Sequence, residues 1–258
     1  MKKKLFLLFP IFLITLFSCN SDHVGDLYTK NETLKHSPLP VKSAEHAMSV
    51  GELHNFYLDQ MYQFFAQQET LNASTINQYA KEFFLTLDSS NLIIENYQYA
   101  IDAEVVNYEL PLNFKLEIEA LDNRLETADF TNLEEFKDFV GSYQPTQITD
   151  KDELVIWNYY TDVLSHSVTY WATNLEKWNN LFGITAFSVM SADKPKCKEG
   201  NWWKRTWCNV KRYGAVDAGA AVTTAITLYF GPNPVTFMAV AGAGLGASAG
   251  AIIKDLIF

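Results

Sequence analysis

Leu53, Phe56, Tyr57, Met61, Phe64 and Phe65 recur at steps of three and four in an otherwise polar segment. Ile76, Tyr79, Phe83, Phe84 and Leu87 repeat the pattern. Each set forms one apolar stripe on a helix of period 3.6. Asn91 to Glu109 reads as a third helix, stopped by Pro111. Phe114, Ile118, Leu121 and Leu125 predict a fourth. Thr131 and Glu134 make a capping box that opens a short fifth helix, closed at Gly141. Asp150 and Glu153 open a long sixth, along which Leu164, Val168, Trp171, Leu175, Trp178 and Phe182 form a near-heptad seam ending before Gly183. No segment alternates at period two. The expected fold is all-α: a bundle of five to six helices over residues 43–190, followed by a small-residue-rich helical hairpin over 213–258.

The hairpin is read from two apolar runs, Tyr213 to Phe230 and Val235 to Ile253. As helices they span roughly 27–29 Å, close to the hydrocarbon thickness of a bilayer. Between them Gly231 suits a helix C-terminus, Asn233 an N-cap and Pro234 a first turn. Gly242, Gly246 and Gly250 stand four apart and share one face. Gly219, with Ala215, Ala221 and Ala225, gives the first run a similar bare surface. These residues resemble the glycine-zipper hairpins of membrane-inserting proteins and bacteriocin-like peptides. That resemblance implies close helix–helix packing, membrane contact or homo-oligomerisation through the glycine face. The same pattern also suits a hairpin buried in a helical domain. Arg212 and Asp255 fall at the open end, where an antiparallel pair brings them to one level, and Asp217 lies one turn inside, within reach of the interface or of Lys254.

The chain begins MKKKLFLLFPIFLITLFSCNSD. A basic start and a short apolar run are the marks of an export signal rather than a membrane span. Leu16, Phe17, Ser18 and Cys19 resemble the lipobox of bacterial lipoproteins, with Phe17 in place of the usual small residue. The resemblance implies that residues 1–18 are removed and that Cys19 is acylated. It places the protein in the cell envelope, at the outer membrane or cell surface. Residues 19–42 are polar, carry Pro38 and Pro40, and read as a flexible tether.

Charge divides the chain. Residues 22–193 hold 27 acidic and 9 basic side chains, whereas residues 194–212 hold seven basic and one acidic. An acidic body excludes nucleic acid as the main partner, since phosphate contacts need Lys and Arg. Residues 191–212 read as a basic, Trp-rich loop. There Trp202, Trp203 and Trp207 beside Lys204 and Arg205 suit an anionic membrane interface, or a basic loop paired to the protein's own acids. With Cys19 acylated, Cys197 and Cys208 remain, an even pair that favours a disulfide in an exported protein.

Candidate chemistry is sparse. Glu117 with Glu119, and Glu134 with Glu135, read as solvated helix faces. His46 and His54 lack a third ligand, and Asp150 to Glu153 lacks the glycine of a calcium loop. Ser165 beside His166 has no nucleophile elbow around it. No metal, cofactor or enzymatic activity is expected. The expected function is that of a lipid-anchored envelope protein that binds an unidentified partner, its hairpin associating with membrane or oligomerising. The competing expectation is a bacteriocin-like, membrane-permeabilising protein with a helical carrier domain.

Overall fold

The computed structural model describes residues 48–88, 90–103, 106, 108–183, 200–229 and 237–257. The export signal, Cys19, the tether, His46, Cys197 and the Gly231–Pro234 link lie outside the described residues. Eight helices appear among those described: α1 (Val50–Ala66), α2 (Ala73–Phe84), α3 (Ser90–Asp102), α4 (Leu112–Thr127), α5 (Leu133–Ser142), α6 (Lys151–Leu181), α7 (Trp202–Tyr229) and α8 (Phe237–Ile257). The protein is an all-α bundle.

The helix starts are chemically explicit. Ser49 and Glu52 form a reciprocal capping box at α1, and Asn72 with Thr75 does the same at α2. Asp150 accepts from the amides of Asp152 and Glu153, as expected for the start of α6. The box at α5 sits one residue later than expected. Asn132 is the N-cap, accepting from the Glu135 amide, and Glu135 accepts from the amide and hydroxyl of Thr131. Gly183, with φ of 70°, follows the end of α6 in the left-handed region that glycine favours.

Helix α5 runs through Gly141 to Ser142, and two further boundaries differ more from the expectation. Helix α3 ends at Asp102, not near Glu109. Beyond it Tyr108 lies against Gly219, where an added Cβ would stand 2.6 Å from the Tyr108 ring. That seat sets Tyr108 against α7. Helix α7 begins at Trp202, so residues 202–212 are helix rather than loop. Trp203, Trp207, Val210 and Gly214 follow steps of four, three and four and are all buried, which is the spacing that drives a helix.

Helix α8 is the centre of the bundle. Its alanines and glycines are buried, and it packs on α3, α7, α1 and α2. Helix α6 covers α7 and α1. Helices α7 and α8 run antiparallel: Arg212 pairs with Asp255, as their positions at the open end imply. Tyr213 donates to the other Asp255 oxygen at 2.7 Å. A Cβ on Gly246 would stand 2.2 Å from the Ile93 carbonyl oxygen, and one on Gly250 would stand 2.6 Å from the Tyr97 carbonyl. The Gly242–Gly246–Gly250 face is therefore occupied inside the chain, by α3. Among the described residues, no helix is long and apolar enough to cross a membrane.

Candidate binding cleft

Steps of four place one stripe of α7, Trp207–Lys211–Ala215–Gly219, along a cleft of about 660 Å³. Helix α4 forms the facing wall with Ile118, Asp122 and Leu125, and α6 supplies Tyr160 and Leu164. Val106, Tyr108 and Leu110, between α3 and α4, complete the lining. The floor is apolar and aromatic: Leu125, Tyr160, Leu164 and Trp207 are buried. This size and lining are those of small-molecule sites.

Charged groups sit at the rim. Lys115 and Glu119 are exposed on α4, and Arg212 is exposed on α7. Lys211 donates to Glu126 at 2.6 Å, so the two α7 cations that line the cleft, Lys211 and Arg212, are each engaged with a carboxylate. Asp122 is half-buried. Burial, then repulsion from Glu126, pushes its carboxyl above the usual range, and Lys211 pulls against them.

A second polar centre is enclosed. His54 of α1, Asp217 of α7, Ser167 and Trp171 of α6 and Ser248 of α8 meet in the core, and all five are buried. Ser167 donates to Asp217 Oδ2, and the Trp171 indole N–H is shared between that oxygen at 3.2 Å and Ser248 Oγ at 3.3 Å. His54 Nε2 faces Asp217 Oδ2 at 3.4 Å without hydrogen-bond geometry. Asp217 thus reaches neither the interface nor Lys254, whose ammonium donates instead to the Ala103 carbonyl. Ser167 is turned to the carboxylate rather than to His54, and the group is sealed from solvent. Its geometry fixes four helices in register and presents no surface to a substrate.

Glu117 is also buried, against the expectation of a solvated face. Its carboxylate accepts from the Tyr143 hydroxyl at 2.7 Å and from the amides of Thr146 and Gln147 at 2.7 and 2.6 Å. Burial pushes its pKa up, but these donors outweigh it and hold the group ionised, tying α4 to the loop before α6.

A third junction titrates. Asp162 on α6 accepts from the Gly51 amide at 2.8 Å and the Ser49 hydroxyl at 3.2 Å, and pairs with His166 at 3.1 Å. Burial lowers the His166 pKa, but Asp162 outweighs it and the net direction is up. Burial likewise raises Asp162, but His166 and the Gly51 amide carry it down. The His166 contribution to stability is therefore complete below the unfolded value of about 6.5 and is lost as pH rises through the higher folded value. The Asp162 contribution is complete above about 3.9 and is lost as pH falls through the lower folded value. Thermal melts are expected to show a decline from pH 6 to pH 8 that His166→Gln flattens. An unchanged slope in the variant would remove the His166–Asp162 pair as its cause.

The residues singled out from sequence are scattered. Trp203 is buried, donates from its indole to the Leu125 carbonyl at 2.8 Å and stacks on Phe136. Trp207 is buried beside it. Trp202, Lys204 and Arg205 are exposed. Trp203 and Trp207 thus serve the core and are not placed for a lipid surface. The basic segment turns partly to the protein's own acids, Lys211 to Glu126 and Asn201 to Asp129. Cys208 lies in the second turn of α7. Among the described residues, no three His, Cys, Asp or Glu side chains are grouped to hold a metal ion. The cleft leaves no mark in the sequence, because its lining is drawn from three helices and from Val106, Tyr108 and Leu110, whose side-by-side placement no local spacing reveals. No family model matches the chain, and no curated protein or solved structure is similar to it.

Proposed function

We propose that this is a lipid-anchored, non-enzymatic binding protein of the bacterial cell envelope, held through Cys19 at the outer membrane or cell surface, with the helical bundle as its binding module. The observation that carries the binding role is the open, apolar-floored cleft between α4, α6 and α7. The anchor rests on the lipobox resemblance, and a disulfide between Cys197 and Cys208 belongs to the same exported setting. Contact of the hairpin with a bilayer, or with a second copy through its glycine face, would require α8 to leave α3 and expose the Ala/Gly surface it now buries.

Fractionation tests the anchor. The chain is exported behind a conventional cleavable signal with Cys19→Ala, and membranes are extracted with carbonate. The expected result is release of the variant in a folded state, with the native chain retained. Retention of the variant in extracted membranes would show that the hairpin itself inserts, and vesicle leakage would then test the permeabilising reading.

A further inference from the structure

The cleft holds one part-buried carboxylate without a direct donor, Asp122, on which Lys211 acts only through its charge. Lys211 and Arg212 already have Glu126 and Asp255. Lys115 stands in solvent at the rim. Asp122, in contrast, is half-buried and makes no hydrogen bond or close ion pair with any described residue, while the nearby Glu126 repels it. A carboxylate withdrawn from water without a donor is costly, and a cation or donor brought to it recovers that cost. The walls near it are aromatic: Tyr160, Tyr108 and Trp207 line the same space. Electron-rich ring faces attract an ammonium group and repel an anion. The attraction is local, since the lining as a whole carries three cations, Lys115, Lys211 and Arg212, against Glu119 and Asp122.

We propose that the cleft takes a hydrophobic amine, its ammonium group set against Asp122 and its apolar body laid on Tyr160, Leu164 and Trp207. This rests on the reading of the cleft as the binding site. An anionic head group set in the interior would meet Asp122, with Lys211 and Arg212 already engaged and Lys115 out at the rim beside Glu119. Protonation of Asp122 opposes amine binding. The burial that lifts its carboxyl therefore also makes affinity fall as pH drops.

Three probes with one apolar body separate the possibilities: 4-phenylbutylamine, 4-phenylbutanol and 4-phenylbutyrate, each titrated calorimetrically into the full chain. The amine is expected to bind about tenfold more tightly than the alcohol, the scale of one charge-assisted contact, and the acid more weakly than both. Asp122→Asn is expected to bring the amine to the level of the alcohol and leave the alcohol unchanged. Ala215→Leu, which fills the cleft from an exposed position, is expected to weaken both. Circular dichroism confirms that each variant is folded. Equal binding of amine and alcohol, or tightest binding of the acid, overturns the amine assignment and leaves the cleft as a binding site. Absence of all binding, or binding that Ala215→Leu does not change, overturns the cleft as well.

Discussion

Gly246→Ala lowers stability by about 3 kcal/mol, at the upper end of what a single inserted methyl costs a packed core. The substitution adds one methyl at a point where its carbon would stand 2.2 Å from the Ile93 carbonyl oxygen and 3.1 Å from the Tyr97 amide. Both are backbone atoms of α3, so no side chain can swing aside, and the two helices must separate. Helix propensity works in the opposite direction, since alanine gains roughly 0.5–1 kcal/mol over glycine in a helix interior. Gly141 isolates that second effect: in α5 an added methyl meets nothing within 4 Å. Gly141→Ala should therefore leave stability unchanged or raise it by a few tenths of a kcal/mol. Urea unfolding of the two variants gives the comparison directly. If Gly246→Ala matched Gly141→Ala, the close approach of α8 to α3 would be wrong.

Asp217→Ala is expected to cost about 3 kcal/mol, since buried donors that lose their acceptor cost about 1–3 kcal/mol each. Its loss leaves the Ser167 hydroxyl without its acceptor, the Trp171 indole with Ser248 alone, and His54 facing a void. Asp217→Asn should cost less, because an amide oxygen still accepts from Ser167 and Trp171. The order wild type, Asn, Ala in denaturant midpoint is the result to look for. Variants within about 0.5 kcal/mol of the wild type would mean that the junction does not hold the helices.

Sequence pattern and structure agree where one helix faces one core. The stripes at Leu53–Phe65 and Leu164–Phe182, and the Asp150 cap, are local signals and give α1 and α6 nearly to the residue. The Arg212–Asp255 pairing follows from where the charges fall on two antiparallel runs. The Trp-rich segment misleads for a physical reason. Tryptophan flanked by Lys and Arg suits a lipid interface, but it equally describes a helix with Trp203 and Trp207 inward and Lys204 and Arg205 in water. The step of four between the tryptophans favours the second, once Gly200 is seen as lying before the helix. Glu117 carries no such signal. Its ionised state depends on donors 26 to 30 residues away, so only tertiary structure reveals it. Glycines spaced by four specify close approach, but they do not say whether the neighbour is a second chain, a lipid-embedded helix or, as found, α3.

The helix at the centre of the bundle is also the last of the eight to be made. Helices α1, α2, α3 and α7 all bury surface against α8, so their inner faces stay uncovered while a chain emerging N-terminus first still lacks residues 237–257. Contacts of α6 with α7 and α1 do not involve α8, but the long-range contacts that close the core around it await that last segment.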